Sequence, residues 1–248
     1  CRSRQRELEM LVRMGASKKT VGDACVGKNW DDPETLSRLQ LVRVDFGFDF
    51  LTLVDAEGQV VMRAMPPFAI GDYRSADSII QTALKGDPAS GMALLSKVEL
   101  EREADGLAER AFIPLEATQH ARPMTKDAET RGLVMMAAAP VRDGGMIVGA
   151  LYGGVLMNRN SEIVDAIVST VFHDSKYNEL PMGTATIFLD DCRVATTVRL
   201  KNENRAIGTR ASREVADKVL DNGMPWIDKA FVVNEWYLTA YEPIRNLA

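Results

Sequence analysis

A chain of 248 residues with 46% hydrophobic and 26% charged residues can bury a real core and has room for two domains. A net charge of −5, with no clustered Lys/Arg run, excludes the basic footprint that nucleic acid requires. Three scattered cysteines and two histidines without short ligand spacing supply neither a disulfide framework nor a metal motif, so no metal and no cofactor is expected.

Residues 2–25 are charged, with apolar positions at Leu8, Leu11, Val12 and Met14. That spacing predicts a long amphipathic helix. Asp31-Asp32-Pro33-Glu34 opens a second helix, acidic at its start and with proline in the first turn, which ends near Gly47. The period then changes. Phe50-Leu51-Thr52-Leu53-Val54 and Gln59-Val60-Val61-Met62 read as paired strands around an Asp55–Gly58 turn. After Ile70-Gly71 a helix runs through 78–85 and stops at Gly86, a natural C-terminal cap. Strands are expected at 92–95, 111–115, 133–141 and 146–156, and a helix near 161–172.

The same plan then returns. A hairpin at 184–189 and 192–198 turns on Asp190-Asp191, and Ile207-Gly208 matches Ile70-Gly71. A helix from 213 to 220 ends at Gly223, and the interval from Gly208 equals that from Gly71 to Gly86. Ala230-Phe231-Val232 echoes Ala111-Phe112-Ile113, and Pro243-Ile244-Arg245-Asn246 echoes Pro140-Val141-Arg142-Asp143. The second copy stops where the first continues into a full strand. This suggests a fragment clipped before its last strand, with its membrane anchors outside it. No apolar run reaches the ~18 residues that cross a bilayer.

Strand, turn, strand, helix and three antiparallel strands is a PAS-like order. The segments DFLTLVDAEGQVV, IGDYRSAD and AAAPVRDGGMIVGALYGGVLMNRNSEIVD resemble the first unit of bacterial double-Cache sensor ectodomains. GTATIFLDDCRVATTV, AIGTRASREV and AFVVNEWYLTAYEPIRN resemble the single-Cache type of chemoreceptors and sensor kinases. The resemblance covers about residues 45–248. It implies an extracytoplasmic, periplasmic module between two transmembrane helices, with a long stalk helix, a ligand pocket in one unit and a cytoplasmic output domain. A homodimer is compatible with it.

The expected fold class is therefore α+β: N-terminal stalk helices over 1–46, a first Cache unit over 47–160, a connecting helix over 161–180 and a second unit over 181–248. Both units should have antiparallel sheets. The expected function is ligand sensing without catalysis. The rivals are a free periplasmic binding protein and, more remotely, a hydrolytic enzyme.

Nothing in the chain has the spacing of a nucleophile, base or metal cluster. Asp190-Asp191 sits where a hairpin needs turn chemistry. Gly149, Gly153 and Gly154 alternate as strand, where glycine marks close approach or a bulge rather than a phosphate loop. Arg74, just ahead of the first-unit helix, can fork onto a carboxylate ligand or pair with Asp72 or Asp77. Tyr73 is either a pocket lid or packing. In the cationic segment 110–131, which reads as a loop over the sheet, Arg110, His120 and Arg131 are the ligand candidates. Met135 and Tyr152 on central strands are pocket lining or core. Arg193, Thr196, Trp226, Tyr237, Thr239 and Tyr241 are the corresponding positions of the second copy.

Cache units that bind amino acids place an Arg shortly before Trp and an aromatic residue, with Tyr and Asp later. Here Arg74 precedes Ser75-Ala76-Asp77, and Tyr152-Gly153-Gly154 brings no Asp. An ammonium group would be left uncompensated, so a short carboxylate is the expected ligand.

Overall fold

The computed structural model describes residues 2–27, 32–172, 176–177, 180–181, 183–233 and 235–245. The chain forms a mixed fold of helices and antiparallel sheet, in two compact units. One comprises 1–109 and 132–156, the other 110–131 and 157–245.

The first unit begins with α1 (Arg2–Ala16) and α2 (Lys19–Gly27), so the stretch expected as one long helix is two. Ser17 ends α1, its hydroxyl donating to the Met14 carbonyl at 2.9 Å. The buried stripe is Leu8, Val12 and Ala16, positions four apart on one helix face. Met14, expected inside, is 49% exposed. Helix α3 (Pro33–Asp45) is capped by Asp32, whose carboxylate accepts from the Thr35 amide at 3.0 Å.

Strands β1 (Phe50–Asp55) and β2 (Val60–Arg63) follow, joined by a turn in which Gly58 has φ +81°. Helix α4 (Ser78–Leu84) starts on Asp77, whose carboxylate accepts from the Ile79 amide at 2.9 Å. Then come β3 (Ala89–Leu95), α5 (Lys97–Glu103) and α6 (Leu107–Ala111). Helix α5 was not foreseen, although Ser96 and Glu99 form a reciprocal capping box of the kind that marks a helix start.

The short strands β4 (Ile113–Pro114) and β5 (Ala128–Glu129) pair within the second unit. Long strands β6 (Gly132–Asp143) and β7 (Met146–Leu156) complete the first unit's five-stranded sheet, whose order is β2-β1-β7-β6-β3. Its five members are antiparallel neighbours. The glycines of β7 are packing devices. A Cβ on Gly149 would lie 2.2 Å from the Val54 carbonyl oxygen, and one on Gly154 2.5 Å from a Val134 methyl.

Register divides this sheet into two faces. Thr52 pairs with both Arg63 and Tyr152, and Tyr152 with Ala138, so these four share a face. The neighbouring positions Gly149, Leu151 and Gly153 turn to the other face. There Gly15 of α1 abuts Leu151 and Cys25 of α2 abuts Gly149. Each aliphatic side chain fully buried in this way contributes about 1.5–3 kcal/mol.

The second unit continues with α7 (Ser161–Phe172), β8 (Lys176–Tyr177), β9 (Leu180–Pro181), β10 (Thr186–Leu189) and β11 (Cys192–Thr196). Helix α8 (Arg213–Ala216) runs on as a π-helical turn over Asp217–Asp221. It is followed by β12 (Trp226–Val232) and β13 (Glu235–Tyr241). Strands β10–β11 and β12–β13 form separate antiparallel pairs. One apolar cluster gathers Ala211, Val215, Val219 and Ala230, with Phe188, Trp226 and Tyr241 packed against it.

Candidate functional site

Charged residues are rarely buried unless paired. The first unit buries a connected set of them on the Tyr152 face of its sheet. Arg63, at the end of β2, is 1% exposed. Its Nε and Nη2 donate to Glu103 at 3.2 Å each. Nη1 donates to Asp72 Oδ1 at 2.8 Å and Nη2 to Asp72 Oδ2 at 2.9 Å, and Nη1 also reaches the Ala69 carbonyl at 2.5 Å. All of its N–H donors are thereby used. Burial works against the charge, but Asp72 and Glu103 more than offset it and hold the guanidinium's pKa above its ordinary value. The hydrogen bond from Arg63 in turn holds the Asp72 carboxyl below the usual range.

Glu103, the last residue of α5, is 1% exposed. It accepts from the Thr52 hydroxyl at 2.7 Å and from the Tyr152 hydroxyl at 2.7 Å. Burial first, and the nearby Glu103 charge second, push the Tyr152 phenol well above its ordinary pKa, so it stays a hydrogen-bond donor.

Arg74 lies beside this network, 6% exposed, with its guanidinium carbon 6.0 Å from the Tyr152 ring centre. One Nη donates to Glu99, and the other is 3.7 Å from Asp77. Its Nε is buried with no hydrogen-bond partner. Glu99 is the more open of the two acids, with 39% of its side chain exposed, against 17% for Asp77.

Of the residues singled out from the sequence, Arg74 and Tyr152 come together here. Tyr73 is adjacent in chain but 64% exposed, its backbone bridging to Gln59. Met135 is fully buried, but it pairs with Met92 and Val155, on the sheet face opposite Tyr152. Strand alternation therefore makes it core on the helix side. Arg110, His120 and Arg131 belong to the second unit. Arg110 is exposed. His120, at φ +64°, sets its ring 4.9 Å from that of Phe231. Arg131 is spent on Glu129 at 2.7 Å and Asp190 at 2.5 Å. Sequence reasoning missed Arg63 and Glu103. The Ser96–Glu99 box was the available signal for α5, while a lone Arg ending a strand gave none.

Described residues of the second unit line at least two clefts. One of about 540 Å³ is lined by Ile113, Arg159, Thr196, Asn202 and Arg205 among others. Another of about 730 Å³ is lined by Arg122, Lys126, Asp191, Arg210 and Asp217 among others. Several of their charged groups are engaged in ion pairs. Arg210 meets Asp191 at 2.6 Å, Arg205 meets Asp165 at 2.8 Å, and Arg122 meets Asp221 at 2.5 Å. Among the described residues no group of three or more His, Cys, Asp and Glu can hold a metal ion. Nor is any described helix long and apolar enough to cross a membrane.

Residues 155–248 match the family model described as Single cache domain 3. Solved structures of sensor domains resemble the chain at low identity. The periplasmic domain of Vibrio cholerae LuxQ is 13% identical, with a TM-score of 0.43, over 80% of this chain and 74% of that one. The E. coli DcuS sensor domain is 13% identical, with a TM-score of 0.40, over 61% of this chain and 86% of that one. The ligand-binding domain of the Pseudomonas fluorescens chemoreceptor CtaA, solved in complex with L-leucine, is 13% identical, with a TM-score of 0.36, over 90% and 72%. No curated protein matches the chain.

Proposed function

We propose that this chain is the extracytoplasmic ligand-sensing part of a membrane receptor, built as two Cache-like units in tandem behind N-terminal stalk helices. It takes a short organic anion in the first unit and does no chemistry on it. Binding is passed to a cytoplasmic output domain, in a receptor that can work as a homodimer.

The observation that carries this reading is Arg74: a guanidinium 6% exposed, beside the Tyr152 ring, with an unpartnered Nε. Its neighbour Arg63 has every N–H engaged, by its two acids and the Ala69 carbonyl, whereas Arg74 beside it keeps a donor still to give. The match of residues 155–248 to a single Cache domain supports the sensor class. A ligand carboxylate would take two parallel N–H bonds from Arg74 and displace Glu99, whose side chain is open enough to swing into water. Tyr73, exposed beside it, would close over the bound anion.

Titration calorimetry of the full chain with short mono- and dicarboxylates tests this. Arg74→Ala should weaken binding by about tenfold or more, the loss of one charge-assisted pair. Glu99→Gln should tighten it, because the internal competitor is neutralised. Unchanged affinity in Arg74→Ala would refute the assignment.

A further inference from the structure

Helix α5 carries two acids one turn apart, Glu99 and Glu103, and each is bound to a buried arginine of the first unit. The two are held differently. Glu103 is buried and fixed by Arg63, Thr52 and Tyr152. Glu99 is more open, and its one carboxylate serves two partners. Its Oε1 accepts from Arg74. Its Oε2 accepts from the Ser96 amide at 2.8 Å and from the Ser96 hydroxyl at 2.7 Å, and the Glu99 amide donates back to that hydroxyl at 3.3 Å. The group that neutralises Arg74 is therefore also the group that closes the N-terminal cap of α5.

The chain passes between its two units at 109–110, 131–132 and 156–157. Helix α6, the next element after α5, runs through the first of these crossings. Leu100, the residue after Glu99, is buried. A Cβ on Gly132 would lie 2.9 Å from a Leu100 methyl and 2.9 Å from a Leu156 methyl, so Leu100 packs where β6 begins and β7 ends. Within the second unit, the buried Asn158 side-chain amide donates to the Ala111 carbonyl at 2.7 Å and to the Arg131 carbonyl at 3.0 Å. One side chain thus ties together the segments that enter and leave that unit at these crossings.

We propose that α5 is the lever that carries anion binding at Arg74 into the second unit. A carboxylate on Arg74 displaces Glu99, the Ser96–Glu99 box opens, and the first turn of α5 comes loose while Glu103 keeps the far end in place. The Leu100 amide then loses its bond to the Ser96 carbonyl, 3.0 Å in the capped helix, and its side chain loosens on Gly132. From there the change follows the chain through 131–132 to the Asn158 clamp, a contiguous route of packed side chains and hydrogen bonds. The lever rests on the reading of Arg74 as the anion site and adds how occupancy of that site leaves the first unit.

Amide hydrogen exchange on the ligand-free full chain, read by peptide mass spectrometry, tests the lever. Glu99→Ala removes the cap and the ion pair together, and should raise exchange in α5 about fivefold, the usual effect of a lost cap. Exchange should rise with it in the second unit at 111–115 and 157–160, and stay unchanged in β1 and β2. Glu99→Gln keeps the reciprocal cap without the charge pair, and should leave all of these at the parent level. Asp32→Ala takes the equivalent cap from α3 and should loosen α3 alone. A Glu99→Ala chain in which α5 stays protected, or loosens while 157–160 does not, would overturn the lever. So would second-unit loosening that Asp32→Ala reproduces, which is general destabilisation, or that Glu99→Gln reproduces, which does not need the cap. No ligand enters the measurement, so its failure leaves the site at Arg74 standing. Failure of that site shows instead as unchanged affinity in Arg74→Ala.

Discussion

Glu103 is the hinge of the buried network, and its removal has a calculable effect. Glu103→Ala leaves Arg63 with Asp72 as its one remaining carboxylate and deprives the Thr52 and Tyr152 hydroxyls of their acceptor, both at 2.7 Å. Breaking one partner out of a buried ion pair costs about 3–5 kcal/mol. At about 4 kcal/mol, with roughly 3–4 °C per kcal/mol for a unit of this size, the first unit's melting point should fall by about 12–16 °C. The Arg63→Met, Glu103→Leu double variant should recover more than half of the loss, because it leaves no fully buried charge unpaired. Thermal melts followed by circular dichroism give the shift. Amide exchange on β1 and β7 assigns it to the first unit, since the two units need not unfold together. A Glu103→Ala chain melting within about 2 °C of its parent would refute the energetic role given to this network.

Other consequences follow from groups in the second unit and from the thiols. Burial opposes ionisation of Glu129, but hydrogen bonds from Arg131 and Lys126 prevail and hold its pKa at about 2. A carboxyl depressed in the folded state stabilises above its unfolded pKa, and that contribution is lost as pH falls. The second unit should therefore lose stability between about pH 4.5 and pH 2, a dependence that Glu129→Gln flattens in acid melts. Burial pushes the Cys25 and Cys192 thiols up to about 12. Both should resist iodoacetamide at pH 8 in the folded chain and react in urea, as read by peptide mass spectrometry. Gly149→Ala, whose Cβ would meet the Val54 carbonyl at 2.2 Å, should separate β1 from β7 and abolish a cooperative first-unit melt.

Much of the element order was legible because it rests on local rules. The β1–β2 hairpin, the helix stopped before Gly86 (φ +112°) and the Met146–Leu156 strand follow from alternation and glycine caps. Helix α7 occupies the expected 161–172. What was hidden depends on partners distant in sequence. Arg63 and Glu103 are 40 residues apart, and neither position shows from the sequence that it is buried. Met135 was placed on a central strand correctly, but which face it takes is set by register with β7. The expected strand at 111–115 ends instead as the close of α6 and the two-residue β4, because that segment leaves the first unit. Arg74 and Tyr152 could be paired in advance only through the family resemblance, which puts the crossover helix over the sheet.

The most direct test of the account is calorimetric titration of the intact chain with paired ligands, each short carboxylate against its own amide. Saturable binding is expected for at least one carboxylate, none for its amide, and loss of the first-unit component in Arg74→Ala. Equal binding of acid and amide, or of a cationic amine in their place, would contradict it.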